Sequence, residues 1–233
     1  MADTEHDGRM RLFTYGRGSA EFDRGVSFFD AVYGFAITLL ITGVDVPPAQ
    51  AWRSVPALFH SGFGNQILGF VLSFIVIALF WRLNYRLIGT MNGMTQRIII
   101  SNIVCVFFII LIPFSTHALN APNLNGLPLP VALYSANLAL ASLAQTSMYT
   151  IAKQSKLTIM SPQTRASAIA GQLSAYLLPF VFGFSILLAY TVSIRLAQYS
   201  WLSLIVLMPL GARLEKRLNG GVMPYAMKPS ETA

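Results

Sequence analysis

Asp30 is the only formal charge inside any of the apolar runs of this chain. Its run opens Arg24-Gly25-Val26-Ser27-Phe28-Phe29-Asp30 and continues Ala31-Val32-Tyr33-Gly34-Phe35-Ala36-Ile37-Thr38-Leu39-Leu40-Ile41-Thr42. A carboxylate in an apolar span costs roughly 2.5–3.5 kcal/mol on insertion scales, so it requires a partner or a purpose. Candidate donors are Arg24, about one and a half helical turns earlier, and Trp81, Asn84 and Asn102 on neighbouring runs. Two chemistries are open to it. One is structural: accepting hydrogen bonds that pack one span on another. The other is functional: a proton relay or a charge that influences permeation.

Phe35, Thr38, Leu39 and Thr42 fall within one stripe of the same helix at 100° per residue. Asp30 lies about 140° from Phe35 on that wheel and therefore on another surface. Threonine in a span can present a hydroxyl to water or bond back to its own helix. Other reactive groups are sparse. The three histidines are scattered, with no His-x-x-x-His pair. His60 and His117 fall near the ends of apolar runs, where an imidazole can respond to pH. Cys105 is the single cysteine, so it has no intrachain disulfide partner. There is no glycine-rich phosphate loop. Enzyme chemistry, a metal centre and a cofactor therefore have no evident place.

The elements that carry these residues are apolar runs. Of 233 residues, 55% are hydrophobic and 11% charged, where a soluble domain has about 25% charged. The runs predict an all-α, polytopic membrane protein with six transmembrane helices. They cover about 26–44, 64–81, 98–118, 130–151, 166–192 and 196–210. The segment 49–61, with Trp52 and Arg53, reads as interfacial. The fourth span is the most polar, with Ser135, Asn137, Ser142, Gln145, Thr146 and Ser147. The domain plan is a polar tail over 1–24, a six-helix membrane domain over 25–212 and a basic tail over 213–233. The tail reads as mobile and has no cleavable apolar core. Fourteen of the sixteen Lys and Arg residues fall on one side of such a six-span chain, leaving Arg53 and Arg195 on the other. The positive-inside rule then places both termini in the cytoplasm. The net charge of +7 is read as topology, not as nucleic-acid binding.

Arg24-x-x-x-Phe28-x-Asp30, followed by Ala31-Val32 and Ile37-Thr38-Leu39-Leu40, resembles the signature of the endosomal and lysosomal potassium channel family of the transmembrane protein 175 type. Phe80-Trp81-Arg82-Leu83-Asn84 and Leu111-Ile112-Pro113-Phe114-Ser115-Thr116 resemble two further family blocks. The resemblance covers roughly residues 20–120. It implies a potassium-permeable channel whose first helix lines the pore and whose narrowest point is a ring of large apolar side chains. By offset from the motif that ring falls at Phe35, with Leu39 and Thr42 on successive turns and Thr38 alongside. Arg24, Phe28, Asp30, Trp81, Asn84 and Asn102 then form the motif's polar cluster. Two positions depart from the pattern: Phe29 stands where the motif has serine, and Phe35 where the ring usually has isoleucine or leucine.

Eukaryotic members carry two six-span repeats and form dimers; prokaryotic members carry one and form tetramers. One set of spans here implies a homotetramer in a prokaryotic cell membrane. The expected function is a cation channel with a modest preference for potassium over sodium, narrowed by an apolar neck, since no Thr-Val-Gly-Tyr-Gly filter occurs. A rival is a secondary transporter or proton leak with Asp30 as relay. A second rival is a membrane scaffold that transports nothing.

Overall fold

The computed structural model describes residues 14–155, 157 and 165–221. A short strand, β1 (Thr14–Gly16), precedes the helix α1 (Ala20–Leu39). The start of α1 is set by Ser19, whose side chain accepts from the Phe22 amide at 3.2 Å. Glu21 and Asp23 in the first turn complement the helix dipole. The helix tightens into a 3₁₀ turn at Leu40–Gly43, and Val44 is already extended. The stretch 14–24, expected as mobile tail, is thus folded: a strand, a turn and the first turn of α1.

Helical turns at Ala49–Arg53, α2 (Val55–Leu58) and Phe59–Phe63 lead into α3 (Gly64–Gly89). Trp52 is exposed there and donates to the Pro47 carbonyl at 3.0 Å. The basic loop expected over 82–97 is largely helix. Nothing between Arg82 and Gly89 breaks the pattern, so Arg82 and Arg86 ride on the last turns of α3. A second strand, β2 (Gly93–Thr95), then pairs antiparallel with β1.

The third apolar run divides into α4 (Gln96–Ile110) and α5 (Ile112–Asn120). Pro113 explains the break, because it has no N–H to offer the carbonyl four residues earlier. The long helices α6 (Pro128–Gln154), α7 (Arg165–Thr191) and α8 (Ile194–Leu218) complete the bundle. The sixth run therefore continues eight residues beyond its expected end, and Arg213, Lys216 and Arg217 lie on helix, not tail.

Helix α1 packs against α3, α4 and α5. Helix α6 is central, touching α4, α5 and α7, while α8 packs mainly on α7. Fifteen of the twenty-seven residues of α6 are buried, which is why it tolerates so many hydroxyls and amides: they face other helices. Ser101 donates to the Ala144 carbonyl, and Ser185 donates to Ser135 at 2.7 Å. Five helical stretches among the described residues are long and apolar enough to cross a membrane: Ala20–Gly43, Val55–Gly89, Gln96–Asn120, Leu173–Thr191 and Ile194–Leu218. Helix α6 matches them in length but not in hydropathy.

Candidate functional site: helix α1 and the groups that hold it

Asp30 is half-buried on α1, and its Oδ1 accepts from Trp81 Nε1 of α3 at 2.9 Å. Trp81 in turn lies against Tyr85 with ring centroids 5.8 Å apart. Of the four candidate donors, Trp81 is the one that meets Asp30. Arg24 is exposed, and six residues of helix rotate it about 120° off the Asp30 face. Asn84 and Asn102 instead bond each other: Asn84 Nδ2 donates to Asn102 Oδ1 at 2.8 Å, with both side chains buried. Among the described residues, the Asn102 amide nitrogen has no hydrogen-bond partner. The expected polar cluster is therefore two pairs, one tying α1 to α3 and one tying α3 to α4.

Phe29, where the motif has serine, is buried in the main core, with Phe28 edge-on to it at 5.6 Å. Phe28 itself is exposed. One side of α1 carries Phe22, Phe29, Tyr33, Ala36 and, at its end, Leu40, all buried. The opposite side carries Arg24, Ser27, Phe28, Ala31, Phe35, Thr38 and Thr42, all exposed in the single chain. Phe35 is 60% exposed, and Leu39 at the edge of this face is half-buried. Thr38 Oγ1 donates to the Phe35 carbonyl at 2.8 Å and Thr42 Oγ1 to the Leu39 carbonyl at 2.7 Å. Each hydroxyl proton is thus spent on its own helix, which leaves the oxygen lone pairs free to accept. The uncovered face of α3 is different: Leu68, Val71, Leu72, Ile75 and Leu79 form an aliphatic surface suited to lipid.

The far end of α1 is held as well. His117 Nδ1 of α5 donates to the Gly43 carbonyl at 3.0 Å, and Gln66 accepts from the Asp45 amide at 2.9 Å. Gly43 lies so close to the imidazole that a Cβ there would sit 3.3 Å from His117 Cβ. His60, by contrast, donates from Nδ1 to Pro56 in its own turn at 2.6 Å. Cys105 is buried 3.7 Å from the Tyr33 hydroxyl.

Sequence reasoning missed Glu215, a second carboxylate within an apolar helix. It is buried against Gly171 of α7, and among the described residues its Oε1 has no hydrogen-bond partner. Arg213, Lys216 and Arg217 beside it are exposed. The signal was the spacing, which puts Glu215 on another face from its charged neighbours. Among the described residues, no group of three or more His, Cys, Asp or Glu is placed to hold a metal ion.

Fold and site together define a multi-pass helical membrane protein whose first helix leaves a face bearing hydroxyls and two phenylalanine rings uncovered. Residues 24–113 match the family model described as endosomal/lysosomal potassium channel TMEM175. A crystal structure of a lysosomal potassium-selective channel TMEM175 homolog from Chamaesiphon minutus has the same fold, with a TM-score of 0.62 at 19% identity, over 86% of this chain and 100% of that one. No curated protein matches the chain.

Proposed function

We propose that this chain is a potassium-permeable cation channel of modest selectivity, assembled as a homotetramer with α1 lining the pore. The observation that carries the reading is the uncovered face of α1. A lipid-facing helix is expected to look like α3. The α1 face instead mixes the hydroxyls of Ser27, Thr38 and Thr42 and the small Ala31 with Arg24 and two large rings, Phe28 and Phe35. Around a fourfold axis, Phe35 forms an apolar neck that gates by diameter and dewetting. Thr38 and Thr42, with lone pairs turned outward, offer oxygen to a cation beyond it. Helix α6 is taken as the sixth span, crossing inside the protein where its polar groups are satisfied by neighbours. Both termini then lie on the basic, cytoplasmic side of a prokaryotic cell membrane, and no cofactor is needed. The transporter reading is weakened by the Trp81 bond, which gives Asp30 a structural occupation.

The test is a cysteine scan in a Cys105→Ser background. A charged thiol reagent should block potassium flux through Phe35→Cys, Thr38→Cys and Thr42→Cys proteins, and leave Leu72→Cys and Ile75→Cys unaffected. Equal sensitivity on both helices would remove α1 from the pore.

A further inference from the structure

Three independent contacts tie the residues just before α1 to the connections between other helices. Strand β1 pairs with β2 in the α3–α4 connection, with Tyr15 opposite Met94 and Gly16 opposite Gly93. The Arg17 amide donates to the Asn92 carbonyl at 2.8 Å, and the Asn92 amide donates to Leu157 beyond α6 at 2.7 Å. The Arg17 guanidinium donates to the Gly89 carbonyl at 2.7 Å and the Met91 carbonyl at 3.4 Å. It thereby places a cation on the free carbonyls at the C-terminus of α3. Gly18, at φ 85°, makes the turn from this ribbon into α1. Beneath the ribbon, Phe22 packs with Leu87, Ile88, Met91, Met94 and Met148.

Beside the same first turns of α1 the bundle is not solid. A cleft of about 500 Å³ separates Asp23, Ser27 and Asp30 of α1 from Tyr85 and Thr90, with Arg17 on its wall. The start of α1 therefore borders open space on its α3 side, and the ribbon is one of its fastenings there, beside the packing of Phe22 and the Asp30–Trp81 bond.

We propose that the β1–β2 ribbon with Arg17 is a strap that holds α1 in its narrow position, so that releasing the strap opens the neck. The inference rests on the channel reading for its direction: an apolar neck dewets, so the strapped arrangement is the resting one. Its mechanical part rests on the ribbon alone.

The experiment compares Arg17→Gln and Tyr15→Pro proteins with the unmodified chain in liposomes. Potassium flux, the potassium-to-sodium ratio, and hydrogen exchange of the amides of residues 20–30 are measured together. Loss of a hydrogen bond from a charged donor shifts a two-state equilibrium by roughly tenfold or more. The strap predicts flux raised by about that factor, an unchanged ion ratio, and faster exchange confined to the start of α1. A double variant, Tyr15→Cys with Met94→Cys in a Cys105→Ser background, should lose flux on oxidation and regain it on reduction. Unchanged or lower flux with unchanged exchange in Arg17→Gln and Tyr15→Pro, the proteins remaining folded, overturns the strap. Faster exchange without flux from any protein leaves the strap in place and removes the channel reading instead.

Discussion

At the residue scale, the bond between Asp30 and Trp81 is the contact whose loss should be felt first. A hydrogen bond to a charged acceptor contributes about 1.5–3 kcal/mol, a neutral one about 0.5–1.5. Trp81→Phe should therefore lower stability by about 1–3 kcal/mol, read from unfolding in detergent. Asp30→Asn should cost less, because the amide oxygen still accepts from Nε1. Combining the two should give a non-additive cycle; strict additivity would mean that the bond carries no energy. That Asp30 needed a donor was legible from the cost of burying it. Which donor it finds was not, because the choice depends on how α1 and α3 cross. Arg24 is nearer in sequence but rotated away. Glu215 escaped notice for a related reason: hydropathy averages over a window, whereas burial is decided by one face.

At the element scale, α1 is fastened at three heights. The ribbon and Arg17 hold its start, Trp81 holds Asp30, and His117 with Gln66 holds its end. The outer fastening depends on close approach between helices. At Gly69 of α3 an added Cβ would collide with the Asn120 amide of α5, which donates to the Thr116 carbonyl at 3.0 Å. Gly69→Ala should destabilise the protein by about 1–3 kcal/mol, the usual cost of overpacking, and Asn120→Ala in the same chain should restore most of it. If Gly69→Ala unfolds at the same denaturant concentration as the parent, the α3–α5 contact is looser than described. The apolar runs themselves were readable, since length and hydropathy locate the helices, with ends displaced by up to eight residues. The breaks were harder. Pro113 split the third run, and the helical ends at Gly89 and Leu218 ran on past the apolar stretch because charged residues are good helix formers.

At the scale of the whole molecule, the proposed tetramer is what gives the uncovered face of α1 a role. Among the described residues, nothing covers Phe35, Thr38 or Thr42, and the stripe they form was visible from 100° spacing alone. What spacing could not distinguish was a pore face from a packing face. The contrast with the aliphatic face of α3 is what favours the pore. Potassium flux into liposomes holding the purified protein, run against sodium with Phe35→Ala beside the unmodified chain, tests this most directly. The account predicts potassium entry exceeding sodium entry, with Phe35→Ala raising flux by about tenfold, equivalent to ~1.4 kcal/mol off the barrier, or weakening the preference. Flux that is saturable, abolished by Asp30→Asn and indifferent to Phe35→Ala would contradict it.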